Sequence, residues 1–308
     1  MSKTISITIG QYLDSLKEDI IHLDLSYKKL YHIPSLARFT RLRIVHLTGN
    51  NLKSLPEIPE GVHTINCGHN QLESIEGLPN SVVYLSALNN NIKHIHHLPT
   101  SLKSIDISGN SIHTIDSLPP LLEGLICESN DLDKFPEFPN TLLTIYCSDN
   151  PRLTTLPNIP PRLIALSCNR CGLIRLPKLP KSLCTLAVDQ NPIGFMENFP
   201  IVLGTYGGVV FGNNPYFKML KHNKPAGLTR SQTHEFYNRK INKLQRAREL
   251  RHLLRLKDRL RAWLWERVRL PKVERANHPD LLARYRLPEN EDNMDEVMNN
   301  FGIVNFGC

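Results

Sequence analysis

Residues 101–120, SLKSIDISGNSIHTIDSLPP, contain the repeating unit that decides the fold of this chain. Aliphatic side chains and one asparagine follow the spacing L-x-x-L-x-L-x-x-N-x-L, and a Leu-Pro pair closes the unit. The residues that carry this spacing are Leu102, Ile105, Ile107, Asn110 and Ile112. The same spacing fits residues 62–72 upstream and 122–132 downstream. The chain is therefore built from copies of one short unit.

The asparagine position recurs at a nearly constant interval. It is occupied in order by Lys28, Asn50, Asn70, Asn90, Asn110, Asn130, Asn150, Cys171, Asn191 and Asn214. The successive intervals are 22, 20, 20, 20, 20, 20, 21, 20 and 23 residues. This pattern and period are the signature of a leucine-rich repeat solenoid. We therefore predict about ten stacked coils over residues 20–217.

A single unit cannot bury its own apolar side chains, so neighbouring units must stack to form a continuous core. Each unit supplies a short strand with two inward aliphatic side chains, and the parallel strands form the concave face. The return segments carry paired prolines, as in LPEIPEG (55–61) and LPKLPKS (176–182). Because proline is unfavourable inside a helix, we expect an extended, polyproline-like convex side.

The asparagine of each unit is expected to point inward and to bond backbone groups of the turn. Those groups would otherwise be buried without partners. Cys171 is small and has a weak S–H donor, so it can replace an asparagine in this role. Lys28 cannot, and we therefore expect the first unit to be a degenerate edge repeat.

Composition restricts the location of the protein. No apolar run approaches the roughly 18 residues that a membrane-spanning helix needs. Residues 1–19 lack the basic-then-apolar form of a signal peptide, and we predict a cytoplasmic protein. Four of the seven cysteines share one inward strand position, where a reduced thiol acts as a small apolar side chain. These four are Cys67, Cys127, Cys147 and Cys168.

No constellation typical of an enzyme stands out, and we predict neither a cofactor nor a metal. Cys168 and Cys171 form a C-x-x-C, but both are in the repeat frame. The histidines of 94–97 lie in a return segment and are expected to be solvated. The glycines of 204–208 lack the Gly-Lys-Ser/Thr that follows in a phosphate-binding loop.

The sequence outside the repeats is interpreted as two further regions. Residues 1–19 form an amino-terminal cap with a helix around 11–19. Residues 218–308 form a basic helical region with an acidic end. Between Arg239 and Arg275 there are 14 Lys and Arg against 4 Asp and Glu, a local charge of +10. The whole chain carries +8, so the rest of the chain sums to about −2.

Three interpretations of the basic helix remain open. It can cap the last coil with its leucine face. As an amphipathic segment with Trp263 and Trp265, it can bind an anionic membrane surface or a calmodulin-like partner. It can also bind nucleic acid through phosphate contacts. No recognised nucleic-acid-reading motif accompanies it.

The concave face is the candidate binding surface. Outward strand residues of successive coils should form parallel columns, of which the central one contains His46, Asn66, Ser167 and Ala187. Near the middle of the array, aromatic and aliphatic residues are framed by small polar and acidic ones, as in protein-binding hot spots. The candidate partner-binding residues are Tyr84, Ser86, Leu88, Asp106, Ile126, Glu128 and Tyr146.

The short units and their x-x-L-P-x-L-P return segments resemble the leucine-rich repeats of bacterial type III effectors of the YopM and IpaH kind. Similar repeats occur in proteins of large DNA viruses. The resemblance covers residues 20–217. IpaH-like effectors carry a ubiquitin-ligase domain with its nucleophile in a C-x-D motif. After the repeats this sequence has only Cys308, so the resemblance implies a YopM-like scaffold without enzymatic activity, located in the host cytoplasm.

Two functions are therefore predicted as alternatives. In the first, the repeats form a protein-interaction scaffold that binds a partner protein on the concave face. In the second, the basic carboxy-terminal helix binds an anionic membrane, a calmodulin-like partner or nucleic acid, and the repeats support it.

Overall fold

The computed structural model describes residues 8–196, 209–210, 214, 225, 228, 232 and 235–247. The elements in chain order are α1 (Ile9–Asp14), β1 (His22–Asp24), β2 (Ile44–His46), β3 (Thr64–Asn66), β4 (Tyr84–Ser86), β5 (His94–Ile95), β6 (Ser104–Asp106), β7 (Thr114–Ile115), β8 (Gly124–Ile126), β9 (Thr144–Tyr146), β10 (Ala165–Ser167), β11 (Arg175–Leu176), β12 (Thr185–Ala187), β13 (Phe195–Met196) and β14 (Val209–Val210). A helix also covers 235–247.

Ten of these strands form one parallel sheet, with the order β1-β2-β3-β4-β6-β8-β9-β10-β12-β14. Each strand pairs with the equivalent residues of the next coil, as in the register Ser104↔Gly124 and Asp106↔Ile126. The structure is thus the leucine-rich repeat solenoid that the period predicts. Tyr206, Phe211 and Tyr216, which belong to the sequence of the last predicted coil, lie outside the described residues.

The middle residue of each three-residue strand points into the core. These side chains are at most 3% exposed, and they are Leu23, Val45, Ile65, Leu85, Ile105, Leu125, Ile145, Leu166 and Leu186. The two neighbours of each middle residue lie on the opposite face, as in β6 and β8, so each three-residue strand supplies one inward side chain. The second inward aliphatic, such as Ile107, follows the strand and is also buried. Stacking of the coils therefore builds the continuous core.

The return segments of the described coils contain no helix. Their regular structure is limited to two pairs of two-residue strands, β5 with β7 and β11 with β13. This agrees with the extended convex side that the proline pairs predict. Phe135 and Phe138 fill the interior of one return segment, with ring centroids 5.2 Å apart.

The inward asparagines make the predicted backbone hydrogen bonds. The side-chain amide of Asn90 donates to the carbonyls of Cys67 at 3.1 Å and Ala87 at 3.0 Å. Its Oδ1 accepts from the backbone N–H of Leu72 at 2.9 Å. Each asparagine of this ladder therefore joins two coils. The same arrangement is found at Asn50, Asn70, Asn110, Asn130, Asn150 and Asn191.

Cys171 replaces only half of the asparagine's function. Its thiol donates to the carbonyl of Cys147, with the sulfur 3.3 Å from the oxygen, but it offers no carbonyl oxygen in return. The N–H of Leu153 instead donates to the backbone carbonyl of Asn150 at 3.0 Å. Pro151 lies in this turn, where its fixed φ suits the second position. The coil is therefore closed by its own backbone at the unit with a 21-residue interval.

The first unit departs from the ladder, as expected. Lys28 is exposed, and its backbone N–H donates to Oδ1 of Asn50 at 3.0 Å. Ahead of this unit, α1 begins with a capping box between Thr8 and Gln11 and buries Leu13. The helix begins at Ile9 and ends at Asp14, with Ser15 as its C-cap. It therefore starts earlier in the chain and is shorter than the predicted helix around 11–19.

Candidate functional site

Three columns of outward side chains define the concave face. The first column contains His22, Ile44, Thr64, Tyr84, Ser104, Gly124, Thr144, Ala165 and Thr185. The second contains Asp24, His46, Asn66, Ser86, Asp106, Ile126, Tyr146, Ser167 and Ala187. The third, two residues further on, contains Ser26, Thr48, Gly68, Leu88, Ser108, Glu128, Ser148, Asn169 and Asp189. Backbone bonds such as Ser129 N–H to the Ser148 carbonyl continue the pairing beyond the strands.

The structure brings all seven predicted site residues onto four neighbouring coils, those of β4, β6, β8 and β9. Four of them are consecutive in the second column: Ser86, Asp106, Ile126 and Tyr146. Tyr84 belongs to the first column and is 52% exposed. Leu88 and Glu128 belong to the third column and are half-buried. Since paired strands are about 4.8 Å apart, these seven residues span roughly 15 Å of the face.

Short polar side chains of the third column are held by their neighbours. Ser108 Oγ accepts from the backbone N–H of Glu128 at 3.2 Å. Asn169 Oδ1 accepts from the N–H of Asp189 at 2.8 Å. Ser108 and Asn169 were not among the predicted site residues, although the repeat frame places them two residues before the asparagine position. These two bonds fix the backbone of Glu128 and Asp189, beneath their carboxylates.

The face is acidic. Its three columns contain four carboxylates and, over the nine coils between residues 22 and 189, neither lysine nor arginine. The carboxylates belong to Asp24, Asp106, Glu128 and Asp189. A hydrogen bond from the backbone N–H of Ser26 lowers the pKa of Asp24. Asp106 likewise accepts from the N–H of Ser108 at 3.0 Å.

The cysteines lie in the core, as predicted. Cys67, Cys127, Cys147 and Cys168 are buried and reduced. Burial raises the pKa of the Cys67 thiol to about 12. Cys147 and Cys168 face each other across paired strands, with their sulfurs 2.9 Å apart. A buried, protonated thiol is a poor nucleophile and a poor metal ligand.

The histidines of 94–97 lie on the outer side of the coils and are exposed. His96 Nδ1 is 2.9 Å from Oδ2 of Asp116, and this hydrogen bond raises the pKa of the imidazole. His94 Nδ1 is 3.1 Å from the hydroxyl of Thr114. Among the described residues, no group of three or more His, Cys, Asp or Glu is arranged to hold a metal ion.

The helix at 235–247 is the described part of the predicted basic region. It buries Tyr237 and Ile241, and Arg239 pairs with Glu235 at 2.5 Å. The apolar face from Leu250 onward, both tryptophans and the acidic end lie outside the described residues. Across the described part of the chain, no helix is both long enough and apolar enough to span a membrane.

These features define a leucine-rich repeat protein, and comparison with solved structures agrees. The chain is similar to YopM from Yersinia enterocolitica WA-314, with 30% identity and a TM-score of 0.55 over 58% of this chain and 41% of that one. It is also similar to YopM, a leucine-rich effector protein from Yersinia pestis, with 27% identity and a TM-score of 0.44 over 61% and 65% of the two chains.

A third similar structure is a Shigella effector leucine-rich repeat domain, with 24% identity and a TM-score of 0.39 over 52% of this chain and 69% of that one. No protein-family model matches the sequence, and no curated protein matches it significantly. The chain spans less than two thirds of the length of either YopM. The predicted resemblance to effector repeats of the YopM kind is therefore confirmed at the level of the repeats.

Proposed function

We propose that this protein is a non-enzymatic scaffold that binds a partner protein on the concave face of its repeats. The observation that carries the proposal is the convergence of the seven predicted residues on one continuous face. Tyr84 leaves half of its surface exposed there, although burial of a tyrosine would be favourable. Its exposure on a rigid sheet suits contact with another molecule.

The composition of this face favours a protein as the partner. Tyr84, Ile126 and Tyr146 supply apolar area close to the middle of the array. Small hydroxyl residues surround them, and Ser104 and Thr144 flank Gly124. Aromatic and aliphatic anchors inside a polar rim are the usual arrangement of an interface hot spot. The similarity to YopM, described as an effector, supports this function in a host cytoplasm.

A specific observation supports the second candidate function. The helix at 235–247 has two buried residues, Tyr237 and Ile241, whereas Arg239, Lys243 and Arg246 are exposed. An amphipathic basic helix can attach to an anionic membrane, a calmodulin-like partner or nucleic acid. Under this proposal the repeats act as a support, and binding depends on salt.

The test compares the full chain with its Tyr84→Ala/Tyr146→Ala variant as immobilised baits in a cytosolic extract. Neither side chain is in the core, so the variant should keep its melting temperature. A bound protein that survives washing at about 1 M salt, where the Debye length is roughly 3 Å, should be depleted about tenfold, or about 1.4 kcal/mol. Tyr12→Ala/Tyr31→Ala removes two exposed tyrosines outside the columns and should retain it.

Two results would contradict binding by the concave face. The first is equal capture by wild type and the Tyr84/Tyr146 variant. The second is capture that disappears at high salt and also disappears when Arg239, Lys243 and Arg246 are changed to glutamine. The second result would assign binding to the basic helix.

A further inference from the structure

We propose that the concave face selects a positively charged, arginine-containing segment of its partner protein. This inference rests on the proposed function and specifies the chemistry of the partner. It starts from the distribution of charge between the two sides of the coils. The face contains four carboxylates and no lysine or arginine in its three columns over residues 22–189.

The absence of basic residues from these columns does not follow from the composition of the coils. Residues 150–188 contain six Lys and Arg and no Asp or Glu. None of these six basic side chains falls in a column of the concave face. They are Arg152, Arg162, Arg170, Arg175, Lys178 and Lys181. In the coils of β10 and β12, the basic side chains therefore lie outside the columns, and the columns contain neutral residues and Asp189.

Asp106 and Glu128 form the centre of the acidic face. They lie on neighbouring coils, in the second and third columns, and both are half-buried. Asp106 Oδ1 accepts from the N–H of Ser108, so its second oxygen is available for another donor. The hydrogen bonds of Glu128 in the described part of the chain use its backbone, and Arg170, which pairs with Asp149, acts on its carboxylate only through a longer-range electrostatic interaction. Partial burial strengthens attraction to an incoming cation relative to bulk water.

The apolar neighbours favour arginine over a compact cation. Ile126 adjoins Asp106 in the second column, and Tyr146 follows Ile126. An arginine can lay its aliphatic stem on Ile126 and stack its guanidinium on Tyr146. Its planar fork then donates two hydrogen bonds to a carboxylate. A nucleic acid, with one negative charge per nucleotide, would be repelled by the same face.

The test measures fluorescence anisotropy of a labelled peptide of repeated Arg-Gly-Ser on the full chain. Its Glu-Gly-Ser counterpart is the control probe. The variant Asp106→Asn/Glu128→Gln keeps an oxygen to accept from Ser108 and removes two charges. The matched variant Glu73→Gln/Glu137→Gln removes two exposed charges outside the columns. Both variants should melt at the wild-type temperature.

We expect the arginine peptide to bind wild type and to bind Asp106→Asn/Glu128→Gln about tenfold more weakly, because charge-assisted hydrogen bonds are lost. The Glu73/Glu137 variant should change affinity less than about twofold, because exposed charges outside the site contribute little. Equal losses in both variants, or no binding of the arginine peptide, would overturn the proposal. A single-stranded oligonucleotide that binds wild type and competes with the peptide would overturn it as well.

The proposed function is judged separately from this inference. If Tyr84→Ala/Tyr146→Ala loses the captured partner while Asp106→Asn/Glu128→Gln retains it, the concave face binds protein without selecting for positive charge. If neither double variant changes partner capture, the proposed function itself fails.

Discussion

The side-chain amide of Asn150 donates to the backbone carbonyl of Cys127, which lies 23 residues earlier, at 3.0 Å. It also donates to Cys147 at 2.9 Å, and its Oδ1 accepts from the N–H of Leu132 at 3.0 Å. Asn150 is fully buried, so water cannot replace these bonds. Asn150→Ala should therefore lower the free energy of unfolding by about 2–5 kcal/mol, measured by urea denaturation.

Asn70 provides an internal comparison for the asparagine ladder. It makes the same bonds to Leu47, Cys67 and Leu52, but its side chain is only half-buried. Water can reach part of the vacated space, so Asn70→Ala should cost less than Asn150→Ala. Equal losses would mean that burial does not set the contribution of each asparagine.

Glycine at 109 relieves the strain of a left-handed backbone. Gly109 has a φ of +65°, and an added Cβ would meet the side-chain oxygen of Asn89. Asn89 is exposed and can move, so the left-handed backbone causes most of the cost. Gly109→Ala should destabilise the protein by about 1–2 kcal/mol. Thermal unfolding of this variant gives the measurement.

Glycine at 124 differs, because no left-handed φ accompanies it. An added Cβ would lie 3.3 Å from Ser104 Oγ and 3.4 Å from Thr144 Oγ1, and hydroxyls can rotate. Gly124→Ala should change stability by less than about 1 kcal/mol, while narrowing the space between these hydroxyls. Under the proposed function, partner capture should fall without a change in melting temperature. A large loss of stability would show that Gly124 is structural.

The cysteines differ in their reactivity. Burial raises the pKa of the Cys67 thiol to about 12, so this thiol stays protonated at neutral pH. Cys184 is only half-buried. Iodoacetamide at pH 8 should therefore modify Cys184 before Cys67, because the thiolate is the reactive species. Peptide mass spectrometry gives the order, and labelling of Cys67 at the same rate would contradict the burial of its thiol.

The pKa of His96 provides a pH-dependent signal from the outer side of the coils. The hydrogen bond to Asp116 raises it above the ordinary histidine value. Because the pKa of His96 is raised, the stabilisation of the folded protein by the His96–Asp116 pair is fully present below the unfolded-state pKa of His96. It is lost as the pH rises through the folded-state pKa. An NMR titration of the His96 ring should show a lower pKa in Asp116→Asn. An unchanged pKa of His96 in Asp116→Asn would contradict this role of the hydrogen bond.

Much of the fold was predictable because the repeat spacing can be recognised directly in the sequence. The ten strands, the inward asparagines and the order Ser86, Asp106, Ile126 and Tyr146 in one column all follow from the period and the two-residue alternation. These features depend on the position of a residue within its own unit. They need no knowledge of its neighbours in space.

Other features depend on contacts between coils and were not predicted. The bond from Leu153 to the carbonyl of Asn150 compensates for Cys171, and spacing alone does not reveal it. The residue just before each ladder asparagine has a left-handed φ, as at Asn89 and Asp149, but in the described coils a glycine marks this position only at Gly49 and Gly109. The bonds of Ser108 beneath Glu128 likewise require the neighbouring coil.

The in-register parallel pairing has an evolutionary consequence. Each outward residue of a strand stands beside its counterparts in the adjacent coils, and apart from Ala165 these residues are not part of the buried core. A substitution at one column position can therefore alter recognition while the solenoid is preserved. Duplicating a coil would add one position to each column. The binding specificity of such a surface can change by single steps, without an intermediate that fails to fold.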